Sequence, residues 1–226
     1  MKLFGIILTV FILSCFSINV MAKKQAEIPE YTVEGLKLVP NTKEIALVWA
    51  EPGADLAQYK RVYLVEPYVA FKKNWQRDQN RGSMRVKGSD MERIKTKVRN
   101  LFMEVFTEEL ENGGYELATE RAEDVLIVKP AIIDLDVNAP DIRTAGRTET
   151  YARSAGAMTL YMELYDSETD DLIAKAMDGK AERDYGYMQW QTGPANRAAA
   201  RRMMQPWAKA LREGLDEARS SNSQAD

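Results

Sequence analysis

The alternation of apolar and polar positions is strongest between residues 89 and 137. Met91, Ile94, Val98, Leu101, Phe102, Val105, Phe106 and Leu110 recur at helical spacing and form one wide apolar stripe. Ser89 followed by Glu92 has the form of a capping box, in which each side chain satisfies a free N–H of the first turn. Gly113 and Gly114 predict the stop, because glycine enters the left-handed conformation beyond a helix end at little steric cost. Residues 115–117 and 125–133 then read as strands. Val125 to Val128 are all apolar, as in a strand covered on both faces. Pro130 cannot donate to a ladder and predicts a bulge or an edge-facing position.

Weaker patterns surround this centre. Residues 44–49 predict a short edge strand, open to subunit assembly. Residues 56–59 predict a single helical turn, and the alternating, β-branched residues 61–69 predict the first main strand. Downstream, Met158, Leu160, Met162 and Leu164 alternate with Thr159, Tyr161, Glu163 and Tyr165. The turn-rich residues 166–171 follow, and the chain returns over 172–183, which predicts a β-hairpin. Residues 185–193 form an aromatic, glycine-flanked loop with Tyr187 and Trp190. The last stripe comprises Ala200, Met204, Trp207, Ala208, Leu211, Leu215 and Ala218, with Pro206 predicting a kink or break near Gln205.

The expectation is one α/β (α+β) domain over residues 43–219, in the order β-α-β-β-β-α. It has a mostly antiparallel sheet of about 4–6 strands with two long helices packed on one face. Residues 23–42 read as a polar leader on the surface and 220–226 as a frayed tail. Both helices carry basic residues early and acidic residues late: Arg93, Lys95, Lys97 and Arg99 against Glu104, Glu108, Glu109 and Glu111, then Arg197, Arg201 and Arg202 against Glu213, Asp216 and Glu217. That pattern predicts an antiparallel pair.

The first 22 residues read as a targeting segment. Lys2 precedes a nearly unbroken apolar run from residue 3 to 18, and Val20-Met21-Ala22 predicts cleavage after Ala22. The competing reading uses Cys15, the only cysteine, in a lipobox-like Ile12-Leu13-Ser14-Cys15 that would be lipidated. Leu13 and the apolar residues after Cys15 suit release after Ala22 better. Both readings predict export to the periplasm, and the second adds a tether to the outer membrane. Of the 31 Lys+Arg only Lys2 leaves with this segment, so 30 face 34 Asp+Glu, a net charge of −4. That balance argues against nucleic acid as a partner. The chain contains no histidine, which excludes Ser-His-Asp and Cys-His nucleophile systems and zinc sites built on His. No cofactor is expected.

Two segments carry candidate chemistry. Residues 71–88 hold Lys72, Lys73, Arg77, Arg81, Arg85 and Lys87 against one acid, Asp78, around Trp75. This is either a basic loop gripping an anionic partner or a solvated crossover whose tryptophan tucks onto the core. Asp134, Asp136 and Asn138, with Asp141 after them, have the D-x-D-x-N spacing that opens a calcium loop. The match then fails at Ala139 and Ala145, where the turn glycine and the bidentate glutamate belong. Paired carboxylates also admit hydrolysis or glycan binding.

The strings FKKNWQRDQNR (71–81), PAIIDLDVNAPD (130–141) and AGAMTLYMELYD (155–166), with the Arg/Ala-rich helix over 196–207, resemble a bacterial envelope family known as domain of unknown function 3313. The resemblance spans residues 36–219. It implies an exported protein, often a lipoprotein, without established activity, and so strengthens the reading of Cys15 as an anchor. It singles out Trp75, Arg77, Asp78, Asn80, Asp134, Asp136, Asn138 and Asp141 as family-like positions. The expected function is a non-enzymatic accessory or interaction protein whose partner is a protein or another envelope component. The rival is a carboxylate-dependent hydrolase.

Overall fold

The computed structural model describes residues 27–40, 42–81, 85–140, 150–152, 154–183 and 189–222. Cys15, Ala22, Asp141, Ala145 and Tyr187 lie outside them. The elements are β1 (Lys37–Leu38), β2 (Leu47–Ala50), β3 (Arg61–Leu64), β4 (Tyr68–Phe71), α1 (Trp75–Gln79), α2 (Gly88–Asn112), β5 (Glu116–Leu117), β6 (Val125–Val137), β7 (Thr150–Ala152), β8 (Gly156–Asp166), β9 (Leu172–Ala181), β10 (Gln189–Gln191) and α3 (Gly193–Asn222). A single 3-10 turn covers Leu56–Gln58.

Among the described residues the sheet has eight strands, in the order β1-β2-β9-β8-β6-β3-β5, with β4 also beside β6. It is wider than the sequence pattern predicts, because β1 is only two residues long and too short to show a period, and because the first main strand is divided; the predicted strand at 115–117 is present as β5. The predicted strand over 61–69 is two strands, interrupted at Val65-Glu66-Pro67. The sheet is also mixed: β3 and β4 run parallel to β6, while β8, β9, β2 and β1 are antiparallel to their neighbours. A β7–β10 ribbon stands apart. Pro130 explains the interruption. The N–H of Val65 donates to the Val128 carbonyl at 2.9 Å, so residues 128 and 130 turn their backbone polar groups the same way. The absent Pro130 N–H therefore faces the gap where β3 gives way to β4.

The central stripe packs largely as expected. Val98, Leu101, Phe102, Val105, Phe106 and Leu110 are buried, whereas Met91 and Ile94 are half-buried. The cap is not the predicted pair. The helix starts at Gly88, and the Asp90 carboxylate accepts from the Lys87 N–H at 3.0 Å. Glu92 instead meets Lys95 at 2.9 Å. At the other end Gly114 alone adopts the left-handed conformation, at φ 78°. Tyr115 N–H reaches back to the Leu110 carbonyl and Gly114 N–H to that of Glu111, the bond pair of a Schellman motif.

Both long helices pack on one face. A single apolar core joins α2 and α3 to the inward residues of β6, β8 and β9. The helices run in the same direction, however, and not antiparallel as their charges predict. Arg197 and Arg201 pair with Glu104, Arg201 with Glu108, Arg212 with Glu109, and Tyr115 with Asp216, so contacts advance together along both helices. The physical reason is stagger: the basic start of α3 lies beside the acidic second half of α2. The α3 helix also continues through Pro206 without a break. Buried Met203, Met204, Trp207 and Ala208 hold it on both sides of the proline.

Residues 27–40 of the predicted leader belong to the fold. Leu36 is buried, β1 pairs with β2, and Glu34 meets Lys175 at 2.6 Å on the outer face of the sheet. Trp49 donates to the Pro29 carbonyl. Because β1 covers its outer side, β2 is not the free edge that residues 44–49 suggested. No helix among the described residues is long and apolar enough to cross a membrane.

Candidate functional site at the end of the sheet

The basic connection and the acidic strand end, far apart in sequence, meet at one end of the sheet. After β4 the Lys72 N–H donates to the Leu135 carbonyl at 3.1 Å, which brings its side chain to Asp136, 3.0 Å away. The Lys72 ammonium is pushed above its ordinary range, first by that bond to Asp136 and further by the charges of Asp134 and Asp78. Asn74 then turns left-handed at φ 65° and starts α1.

Trp75 is buried, at 3 % exposure, and stacks on Phe71 with ring centroids 4.1 Å apart. Its indole N–H donates to the Val137 carbonyl at 3.2 Å, and the Gln79 amide donates to the same oxygen at 3.2 Å. Asn80 clasps the far end of the connection: its Oδ1 accepts from the Val86 N–H at 2.7 Å and its Nδ2 donates to the Val86 carbonyl at 3.1 Å. Arg77 and Arg81 stand exposed, each 3.5 Å from Asp78. Trp75 and Asn80 are thus committed to holding the connection, while Arg77, Asp78 and Arg81 face solvent.

The strand end is irregular. The β6–β8 register shifts between Ile133 and Asp136, and Asp134 sits in the bulge at φ 51°. A bulge breaks the two-residue period, so Asp134 and Asp136 do not project as a simple same-face pair. Asp134 is exposed. Asn138 donates through Nδ2 to the Ser154 carbonyl and hydroxyl at 3.2 and 2.7 Å, tying the start of the next segment to β8. Among the described residues no three His, Cys, Asp or Glu side chains gather as a metal ion would require.

Behind this seam lies a cavity of about 450 Å³ that sequence reasoning missed. Ile94, Val98 and Leu101 of α2, Met203 of α3, Leu135 of β6 and Met158 of β8 supply apolar wall, and Lys97, Asp136, Asn196 and Arg197 the polar part. Two features open it. The stagger starts α3 only beside the middle of α2, so the first turns of α2, with the half-buried Ile94, extend beyond it, and the bulge re-aims the end of β6. Gly156 is required there: at φ 143° a Cβ would fall 1.8 Å from the Asp136 carbonyl oxygen. The only legible signal was the overhanging start of the α2 stripe.

No protein with a curated description matches the chain. Solved structures resemble it at low identity. A PelC dodecamer from Paraburkholderia phytofirmans is 12% identical with TM-score 0.37, covering 73% of this chain and 96% of that one. A Xanthomonas campestris protein of family DUF330 is 13% identical with TM-score 0.42, covering 74% and 89%. A minor lipoprotein from Acinetobacter baumannii is 9% identical with TM-score 0.35, covering 71% and 95%. The profile of one family, described as protein of unknown function (DUF3313), matches residues 33–211. That span includes both segments of the sheet-end seam and most of both long helices, and the chain belongs to the DUF3313 family.

Proposed function

We propose that the chain is a non-enzymatic accessory or interaction module of the bacterial cell envelope, exported by its first 22 residues and directed to a protein or another envelope component. The observation that carries this reading is how the candidate residues are used. Trp75, Asn80 and Asn138 are engaged in tying segments together, and Asp136 is paired with Lys72. Beside them is an apolar cavity, not a cluster of reactive groups, in a chain without histidine.

The hydrolase or glycan-binding reading is favoured by one observation, the exposed Asp134 held left-handed at the bulge, since such backbone outliers collect at functional sites. Complementation of a deletion strain separates the two. Asp134→Asn and Asp136→Asn chains, shown to fold, restore envelope integrity if the role is non-enzymatic. Failure of both while folded favours carboxylate chemistry. Intact mass from envelope fractions, with Cys15→Ala as control, decides the address. A mass starting at Lys23 indicates a diffusible periplasmic protein, and a lipidated Cys15 an outer-membrane tether. An unprocessed cytoplasmic chain refutes the envelope role.

A further inference from the structure

We propose that the cavity enclosed by α2, α3 and the bulged end of the sheet binds the acyl chain of a single-chain amphiphile. The inference deepens the reading of a binding module and names its ligand class. The cavity volume of about 450 Å³ falls in the range of small-molecule sites. It is far larger than the rare, water-sized voids of a packed interior. Its wall along α2 runs from Ile94 to Leu101, two helical turns and about 10 Å, which suits a linear chain lying along the helix. Met158 from the sheet and Met203 from the helix both line it, and methionine adapts its shape to varied apolar ligands.

The charges set the orientation. Lys97 and Arg197 are exposed at the rim. Asp136 is taken by Lys72 and Arg197 by Glu104, so a charged group drawn deep inside would lack a counter-charge. The chain therefore enters and the polar head stays at the rim, where charges of both signs stand. Asn196 supplies part of the polar lining. Its Nδ2 donates to the Ala139 carbonyl at 3.0 Å, which ties α3 to the end of β6, and its buried Oδ1 has no donor among the described residues.

The test uses the mature chain and dansyl-undecanoic acid, followed by fluorescence enhancement and displaced with palmitoyl-lysophosphatidylethanolamine. Val98→Phe fills the cavity from α2 and Ala155→Leu from the residue that precedes β8. The expected result is one probe per chain, displacement by the lysophospholipid, and binding roughly tenfold weaker or worse in each variant that melts cooperatively. No enhancement with the natural chain, undiminished binding in folded variants, or displacement by naphthalene but not by the lysophospholipid overturns the proposal. Should one variant fail to fold, the other decides. Filled variants that lose the probe yet still complement the deletion strain confirm the site while denying it a part in the accessory role, so the two readings fail separately.

Discussion

Replacing Trp75 by phenylalanine removes an indole N–H and keeps a ring against Phe71. The Val137 carbonyl loses one donor but retains the Gln79 amide, which also lies 3.2 Å from it. The expected cost is about 1 kcal/mol, the net value of one ordinary hydrogen bond. Gln79→Ala alone leaves the indole in place and costs about 0.5 kcal/mol. With both substitutions the half-buried carbonyl loses both side-chain donors, so the double variant loses about 1 kcal/mol beyond the sum. Trp75→Ala removes the ring as well, and for a side chain only 3 % exposed the loss is about 3–5 kcal/mol. That is a large share of a typical stability of about 5–15 kcal/mol. Urea unfolding at constant m-value reads all four variants. Additivity within about 0.4 kcal/mol refutes the shared-acceptor argument. An unchanged midpoint for Trp75→Ala refutes the anchor itself and returns the ring to a partner-binding role.

Three further outcomes follow from the same geometry. Asp178→Ala removes a buried carboxylate that accepts from the Trp207 indole at 2.7 Å and the Ala46 N–H at 3.0 Å and pairs with Lys180. A loss of about 3–5 kcal/mol is expected in urea unfolding, and a loss under about 1 kcal/mol contradicts it. Gly156→Ala forces β8 from β6, with an expected cost of about 1–3 kcal/mol and weaker probe binding, because the same contact shapes the cavity. An unaltered melting temperature argues against this.

The pH profile has two edges. The Lys87 N–H holds Asp90, the Arg61 guanidinium holds Asp124 and the Thr169 N–H holds Asp166 below the usual carboxylate range, and the bond from Lys175 takes Glu34 down to about 2. These groups are depressed on folding, so their contribution is present above about pH 4 and lost as pH falls through the folded values. Burial pushes Tyr115 up to about 12, helped by Asp216, and Tyr165 up to about 12, helped by Glu163. Their contribution is present below about pH 10 and lost as pH rises through those values. With no histidine, thermal melts are expected to be flat between about pH 5 and 9. A stability step near pH 6.5 would refute the assignment.

The parts of this protein legible in its sequence are those written by local periodicity and turn chemistry. The stripe from Val98 to Leu110, the Gly113–Gly114 stop, the β8–β9 hairpin and the helix through Leu215 each need only neighbours within a few residues, and each is where the pattern puts it. The basic connection and the Asp134–Asn138 segment each stood out by composition, but that they meet was not legible, and whether Trp75 faces solvent or core depends on Phe71 and Val137, which come from two different strands. The short β1 escaped because two residues cannot show a period.

What only the tertiary structure decided is relative placement. Charge along α2 and α3 constrains which segments may touch, yet it is satisfied equally by an antiparallel pair or by a staggered pair running the same way. The parallel β3, β4 and β6, and the bulge at Asp134 that follows them, set the sheet end against which the helices pack. From that placement come the overhang of Ile94, the close approach at Gly156 and the cavity between them. No single segment encodes these, because each is a distance between elements that the chain fixes only by packing them together.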